Sequence, residues 1–190
     1  MDPRAREILD FWFGGGAERG AVRELWFAKD AAFDDSIRAR FLARYEEAAA
    51  GRLGAWRESA AECLALVVLL DQFPRNMFRN SARAFAADAL ALDAARRAVA
   101  RGDDRGMLPV ERQFLYLPFE HSEALEDQLR ACELMRQLQE FPQTADASLW
   151  AEKHLVIIRR FGRFPHRNAV LGRASTAEEE QFLKQPGSSF

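Results

Sequence analysis

Apolar residues along this chain recur at helical spacing, with no persuasive alternation of the kind that marks strands. After Asp30, the positions Phe33, Ile37, Phe41, Tyr45 and Ala48 fall on one face of a helix that Gly51 closes. Upstream, Asp2 followed by Pro3 is an N-cap and first-turn pair, and the helix it opens runs to about Phe13, where "GGG" stops it. Ser59 with Glu62 matches a capping box, which predicts a third helix starting near Ala60 and ending before Pro74. Ser81 opens "ARAFAADALALDAARRAVAR", closed by Gly102. Pro109 begins another helix, and Pro118 either kinks or breaks it, leaving Ser122 to cap a fresh segment through about Glu140. Thr144 starts a segment that ends at Gly162, and Ser175 with Glu178 predicts a last capping box before Pro186 and Gly187.

The pattern predicts an all-α protein of seven or eight helices, one domain over residues 1–185 with a loose tail at 186–190. Short connections favour antiparallel neighbours, hence stacked helix hairpins. The alanine-rich stretch after Ser81 resembles the second helix of a tetratricopeptide repeat, although no clean repeat of 34 residues is visible.

Composition narrows the function classes. At 190 residues the chain can bury a sizeable core without disulfides or a structural metal. With 48% hydrophobic and 29% charged residues it is not of a disordered type. A net charge of −2 argues against nucleic acid or an anionic membrane as partner. No apolar run approaches the roughly 20 residues of a membrane helix. Cys63 and Cys132 show no C-x-x-C spacing and are expected to be buried hydrophobes with reduced thiols. The start lacks a basic leader and a cleavage site, so a cytoplasmic location is expected.

Candidate chemistry concentrates in three places. "LLDQFPRNMF" and "RRFGRFPHRN" both put Phe-Pro before an arginine and an asparagine at the end of an apolar segment. Their structural reading is a paired helix exit, with Phe73 and Phe164 in the core and Asn76 and Asn168 bonding to nearby backbone. Their functional reading is a shared polar groove. Asp71, Arg75, Arg163, His166 and Arg167 lie beside the turns, and arginine forks recognise carboxylate or phosphate. Between Lys153 and Ala177 there is no acid, while Arg159, Arg160, Arg163, Arg167 and Arg173 all fall there, which predicts a local positive patch.

The third place is "YLPFEHSE". His121 falls on an apolar stripe, where a satisfied core histidine is the commoner outcome. Glu120 and Glu123 flank it, and two carboxylates beside an imidazole can divide acid and base roles if burial separates their pKa values. Metal spacings, phosphate-binding loops and nucleophile elbows are absent, and His121, His154 and His166 could meet only through the fold. The aromatics Phe11, Trp12, Phe13, Trp26 and Phe27 are read as core packing rather than a ligand groove.

"VLLDQFPRNMFR", "ERQFLYLPFEHSE" and "IIRRFGRFPHRNAVLGRAST", with "ILDFWFG" near the start, together resemble a bacterial family known as domain of unknown function nine-two-four. The resemblance spans essentially the whole chain. It implies a helical fold similar to tetratricopeptide-repeat proteins and carries no activity with it. The expected function is therefore capture of a small anionic ligand or acidic peptide by Asp71, Arg75, Asn76, Arg163, His166, Arg167 and Asn168. The alternative is an enzyme using Glu120, His121 and Glu123 as acid and base groups. Neither reading calls for a cofactor or metal, and the sequence does not fix an oligomeric state.

Overall fold

A computed structural model describes residues 1–188 of the chain, and those residues form an all-helical protein with eight helices. Helix α1 spans Pro3–Phe13, its first turn closed by the Asp2 carboxylate accepting from Arg4 N at 2.9 Å. Helix α2 spans Ala31–Ala49 and buries Ile37, Phe41, Tyr45 and Ala48, the face its spacing predicts. Helix α3 spans Ala60–Val67, widens into a π-turn at Val68–Gln72 and runs on through Phe73–Met77. Then follow α4 (Asp88–Arg101), α5 (Pro109–His121), α6 (Leu125–Arg136), α7 (Ala147–Phe161) and α8 (Ala177–Leu183).

Every residue of α3 from Cys63 to Pro74 is buried. A helix apolar on all sides has to lie inside others, and α3 packs against α1, α2, α4 and α5. From α4 to α7, each helix packs on the next in sequence. An aromatic seam pins α1 to this core: Trp12 meets Phe73 edge-on with centroids 5.6 Å apart, and Trp26 Nε1 donates to the Trp12 carbonyl at 2.8 Å. Phe27 departs from the expected core packing. It is 67% exposed and covers Phe114 from outside.

Several helix boundaries differ from those the sequence suggests, and each has a local cause. Pro74 does not end α3. The chain opens by one residue so that Phe73 N bonds Val68 O, and Pro74 then sits in the first turn of the following segment, where a missing N–H costs little. Ser59 makes no side-chain cap, because Glu62 turns instead to Asp2 N at 2.6 Å. Ser81 caps only a short 3-10 turn, Ala82–Ala84, and α4 starts at Asp88, which leaves Phe85 in the connection. Pro118 neither ends α5 nor opens a new helix at Ser122, since α6 is preceded by Ala124. Pro118 lies within a turn of the α5 terminus, so little of the helix downstream depends on its absent N–H. Thr144 belongs to a 3-10 turn ahead of α7. The last capping box is Thr176 with Glu179, one residue beyond the expected pair, because Glu178 reaches out to Arg160 at 2.9 Å. In the expected tail, Ser188 is buried and donates to the Leu183 carbonyl at 3.1 Å; positions 189–190 lie outside the described residues.

Both cysteines are buried free thiols. No helix among the described residues is long and apolar enough to cross a membrane.

Candidate functional site

The two Phe-Pro segments and the end of α5 converge. Phe73 and Phe164 are fully buried and hold their turns in place. Asp71, carried on the π-turn of α3, is completely buried, and its Oδ1 lies 2.7 Å from His121 Nδ1. Gln72 Nε2 donates to the other oxygen at 2.5 Å. Arg75 donates to the Asp71 carbonyl at 2.6 Å and grips Asp88 with both terminal nitrogens at 2.9 Å. From the second segment, Arg167 donates to the His121 carbonyl at 2.9 Å and comes within 3.7 Å of Asp88. The guanidinium of Arg167 lies against two rings, 4.7 Å from Phe85 and 4.4 Å from Phe164. Arg75 stands over the same Phe85 ring at 5.5 Å.

Of these groups Phe85, Asp88, His121 and Arg167 border a pocket of about 380 Å³. Asp88, His121, Ser122, Glu123 and Arg167 form its polar end, and Phe85, Leu92, Pro118 and Leu171 line the apolar remainder with Ala82, Ala86 and Ala89. Its volume lies within the usual range for small-molecule sites.

The charged groups are not equally satisfied. Burial alone would raise the Asp71 pKa, but Arg75 and His121 outweigh it and hold the carboxyl well below its ordinary value. Glu123 is likewise lowered, with burial opposed by the Arg173 fork at 2.7 and 2.9 Å and by Phe164 N at 2.8 Å. Arg75 is fully engaged. Arg167, only 6% exposed, is not: its Nε makes no hydrogen bond, and burial together with the neighbouring Arg75 lowers its pKa to about 10. Burial and Arg75 also lower the pKa of His121, against the pull of Asp71. Nδ1 is held by Asp71 and His121 lines the pocket; among the described residues its Nε2 has no hydrogen bond.

The three histidines do gather, around Phe164. His121 and His154 have centroids 6.3 Å apart, and His154 and His166 lie 5.6 and 5.7 Å from the Phe164 ring. Among the described residues no group of three histidine, cysteine or acidic side chains is arranged to hold a metal ion.

The candidate residues separate accordingly. Asp71, Arg75, His121 and Arg167 meet, and Glu123 joins them at the rim. Glu120 turns away from the pocket to His154 Nδ1 at 3.0 Å, where burial and the charge of Asp71 raise its pKa to about 8. Asn76 bonds Asp34 on α2 at 2.7 Å, and Asn168 bonds Ser175 at 3.0 Å, so neither serves its own turn as expected. Arg163 forks Glu179 of α8 at 2.6 and 2.7 Å, away from the pocket. His166 is half-buried against Phe164 rather than among the lining groups. The acid-free stretch gives no single positive patch, because Glu123, Glu178, Glu179 and Asp88 arrive from elsewhere to meet its arginines. Sequence reasoning missed Phe85 and Asp88, which carry no motif of their own. Only the 3-10 turn after Ser81 sets their position.

Fold and site thus define a class: an all-helical protein with an aspartate–histidine–arginine pocket at the meeting of three distant segments. The chain belongs to a family described as a bacterial protein of unknown function (DUF924), whose model matches residues 8–187. It is similar to a solved structure of a protein of unknown function from Agrobacterium tumefaciens, with 44% identity over 95% of this chain and 96% of that one and a TM-score of 0.84. No curated protein matches it.

Proposed function

We propose that this protein is a tetratricopeptide-repeat-like helical stack that binds a small anionic ligand in the pocket beside Arg167. The observation that carries this reading is the incomplete coordination of that guanidinium. Burying a cation is costly unless its donors are matched; among the described residues Arg167 has one hydrogen bond, to a neutral carbonyl, with the Asp88 carboxylate no nearer than 3.7 Å and an open pocket next to it. A carboxylate or phosphate head would complete it. Asp88 and Glu123, by contrast, already have arginine forks, so the pocket has little to offer a cationic guest. A small molecule suits a volume of about 380 Å³ better than an acidic peptide does. The buried reduced thiols fit a cytoplasmic setting.

Isothermal titration with benzoate and phenyl phosphate tests this. Arg167→Gln should weaken the better of the two by about ten- to a hundredfold, the worth of a charge-assisted bond. Arg167→Lys should fall between, having the charge without the fork. Equal affinity in all three proteins, or no binding of either probe to the wild type, contradicts the reading.

The 2.7 Å Asp71–His121 contact favours a second reading, in which the bound molecule is also transformed. An imidazole oriented through Nδ1 by a buried carboxylate and presenting Nε2 is built for general-base work. Here Asp71 replaces Glu120 and Glu123 as its partner, since those two are engaged elsewhere. His121→Asn would then abolish turnover while ligand affinity, compared at pH 8, changes only a few-fold. Turnover that survives the substitution removes this second reading.

A further inference from the structure

We infer that the guest joins an anionic head to an apolar body, and that it enters together with one proton taken up on His121 Nε2. This rests on the anion-binding reading above and adds to it. The head is dictated by Arg167. The body follows from the walls, where Phe85, Leu92, Pro118 and Leu171 offer apolar surface and no donor beyond the polar end. A bare inorganic anion would leave that surface facing water.

The proton follows from the charges around His121. From α3 come Asp71 and Arg75, from α4 Asp88, from the turn after α7 Arg167, and from the loop after α5 Glu123 with its Arg173. Three acids therefore face three arginines. The remaining neighbours are uncharged at neutral pH: Glu120 on α5 is raised to about 8, His154 on α7 is lowered to about 3 and His166 beside Phe164 to about 4, burial leading in each case. The empty pocket is balanced, and one added anion leaves it a negative charge in a poorly solvated place. Among these groups His121 is the one able to answer. Its Nδ1–H stays on Asp71 while Nε2 gains a proton on the pocket side, which adds a donor to the ligand head.

Three probes separate the elements of the proposal: acetate for the head alone, benzyl alcohol for the body alone, and benzoate for both. Binding is followed from pH 5.5 to 8, with the His121 ring titrated by NMR in the free and benzoate-saturated protein. Benzoate should bind at least about tenfold more tightly than either other probe. Its Kd should weaken by up to about tenfold per pH unit as pH rises through the His121 titration, as uptake of one proton requires. The His121 titration itself should move upward on saturation, and His121→Asn should flatten the profile at its weak, high-pH value. Saturable benzoate binding with a flat profile and an unmoved His121 overturns the proton uptake alone and leaves anion binding standing. Benzoate no tighter than acetate overturns the apolar body. Absence of saturable binding by benzoate overturns the inference and the reading beneath it together.

Discussion

Asp71 and Glu123 are both acids paired with arginine, yet the structure assigns them different weights. Asp71 is completely buried and holds Arg75 and His121 at once. Removing one partner of such a buried set strands the others, so Asp71→Ala should cost about 3 kcal/mol or more in urea unfolding. Glu123 is partly solvated with Arg173, and Glu123→Ala should cost about 1 kcal/mol. Comparable losses for the two would contradict the account of the pocket floor. At this scale the sequence leads to a carboxylate beside His121, but from the wrong residue. Glu120 and Glu123 adjoin His121 in the chain, but a helix sends neighbouring residues in different directions, and the carboxylate that reaches the ring comes from 50 positions earlier.

Helix placement was the most legible feature, because it depends on local signals. The α2 face, the Asp2–Pro3 start and the glycine stops at Gly102 and Gly162, both with left-handed backbone, needed only spacing and residue type. Caps proved less legible, since a capping side chain has competitors that spacing does not reveal. Glu62 bonds to Asp2, whereas Thr176 and Glu179 satisfy each other. Thr176→Ala is therefore expected to destabilise the protein by about 1 kcal/mol and Ser59→Ala by less than about 0.5. Equal effects in thermal unfolding would mean that the Ser59 box does form. Pro74 has the residue type of a terminator, but a π-turn absorbs it, and that widened turn is what carries Asp71.

For the whole molecule, the buried Glu120–His154 pair makes stability depend on pH from both sides. Glu120 has a folded pKa of about 8 against an ordinary 4.5, so its contribution is complete below pH 4.5 and is lost as pH rises to 8. His154, lowered from 6.5 to about 3, contributes fully above pH 6.5 and loses its contribution as pH falls towards 3. Below pH 6.5 the lowered His121 and His166 add to His154 and outweigh Glu120, so stability should peak near pH 6.5. Above that it should fall as pH rises towards 8, because Glu120 then gives up its proton more readily in the unfolded chain than in the folded one. Glu120→Gln should abolish the alkaline fall in denaturant titrations; an unchanged slope in the variant would place its origin elsewhere.

Convergence is a property of the whole chain, which is why the sequence could pose it only as a question. Repeated Phe-Pro segments marked two corners. Their meeting on Phe85 and Asp88 depends on how α3, α4, α5 and α7 pack. Anion binding through Arg167 at this meeting place is what the proposed function requires. Its most direct test is an NMR shift map of the protein titrated with benzoate. Saturable shifts centred on Phe85, Leu92, His121 and Leu171, lost in Arg167→Gln, are the predicted result. A map centred on another surface, or one that the substitution leaves unchanged, would contradict it.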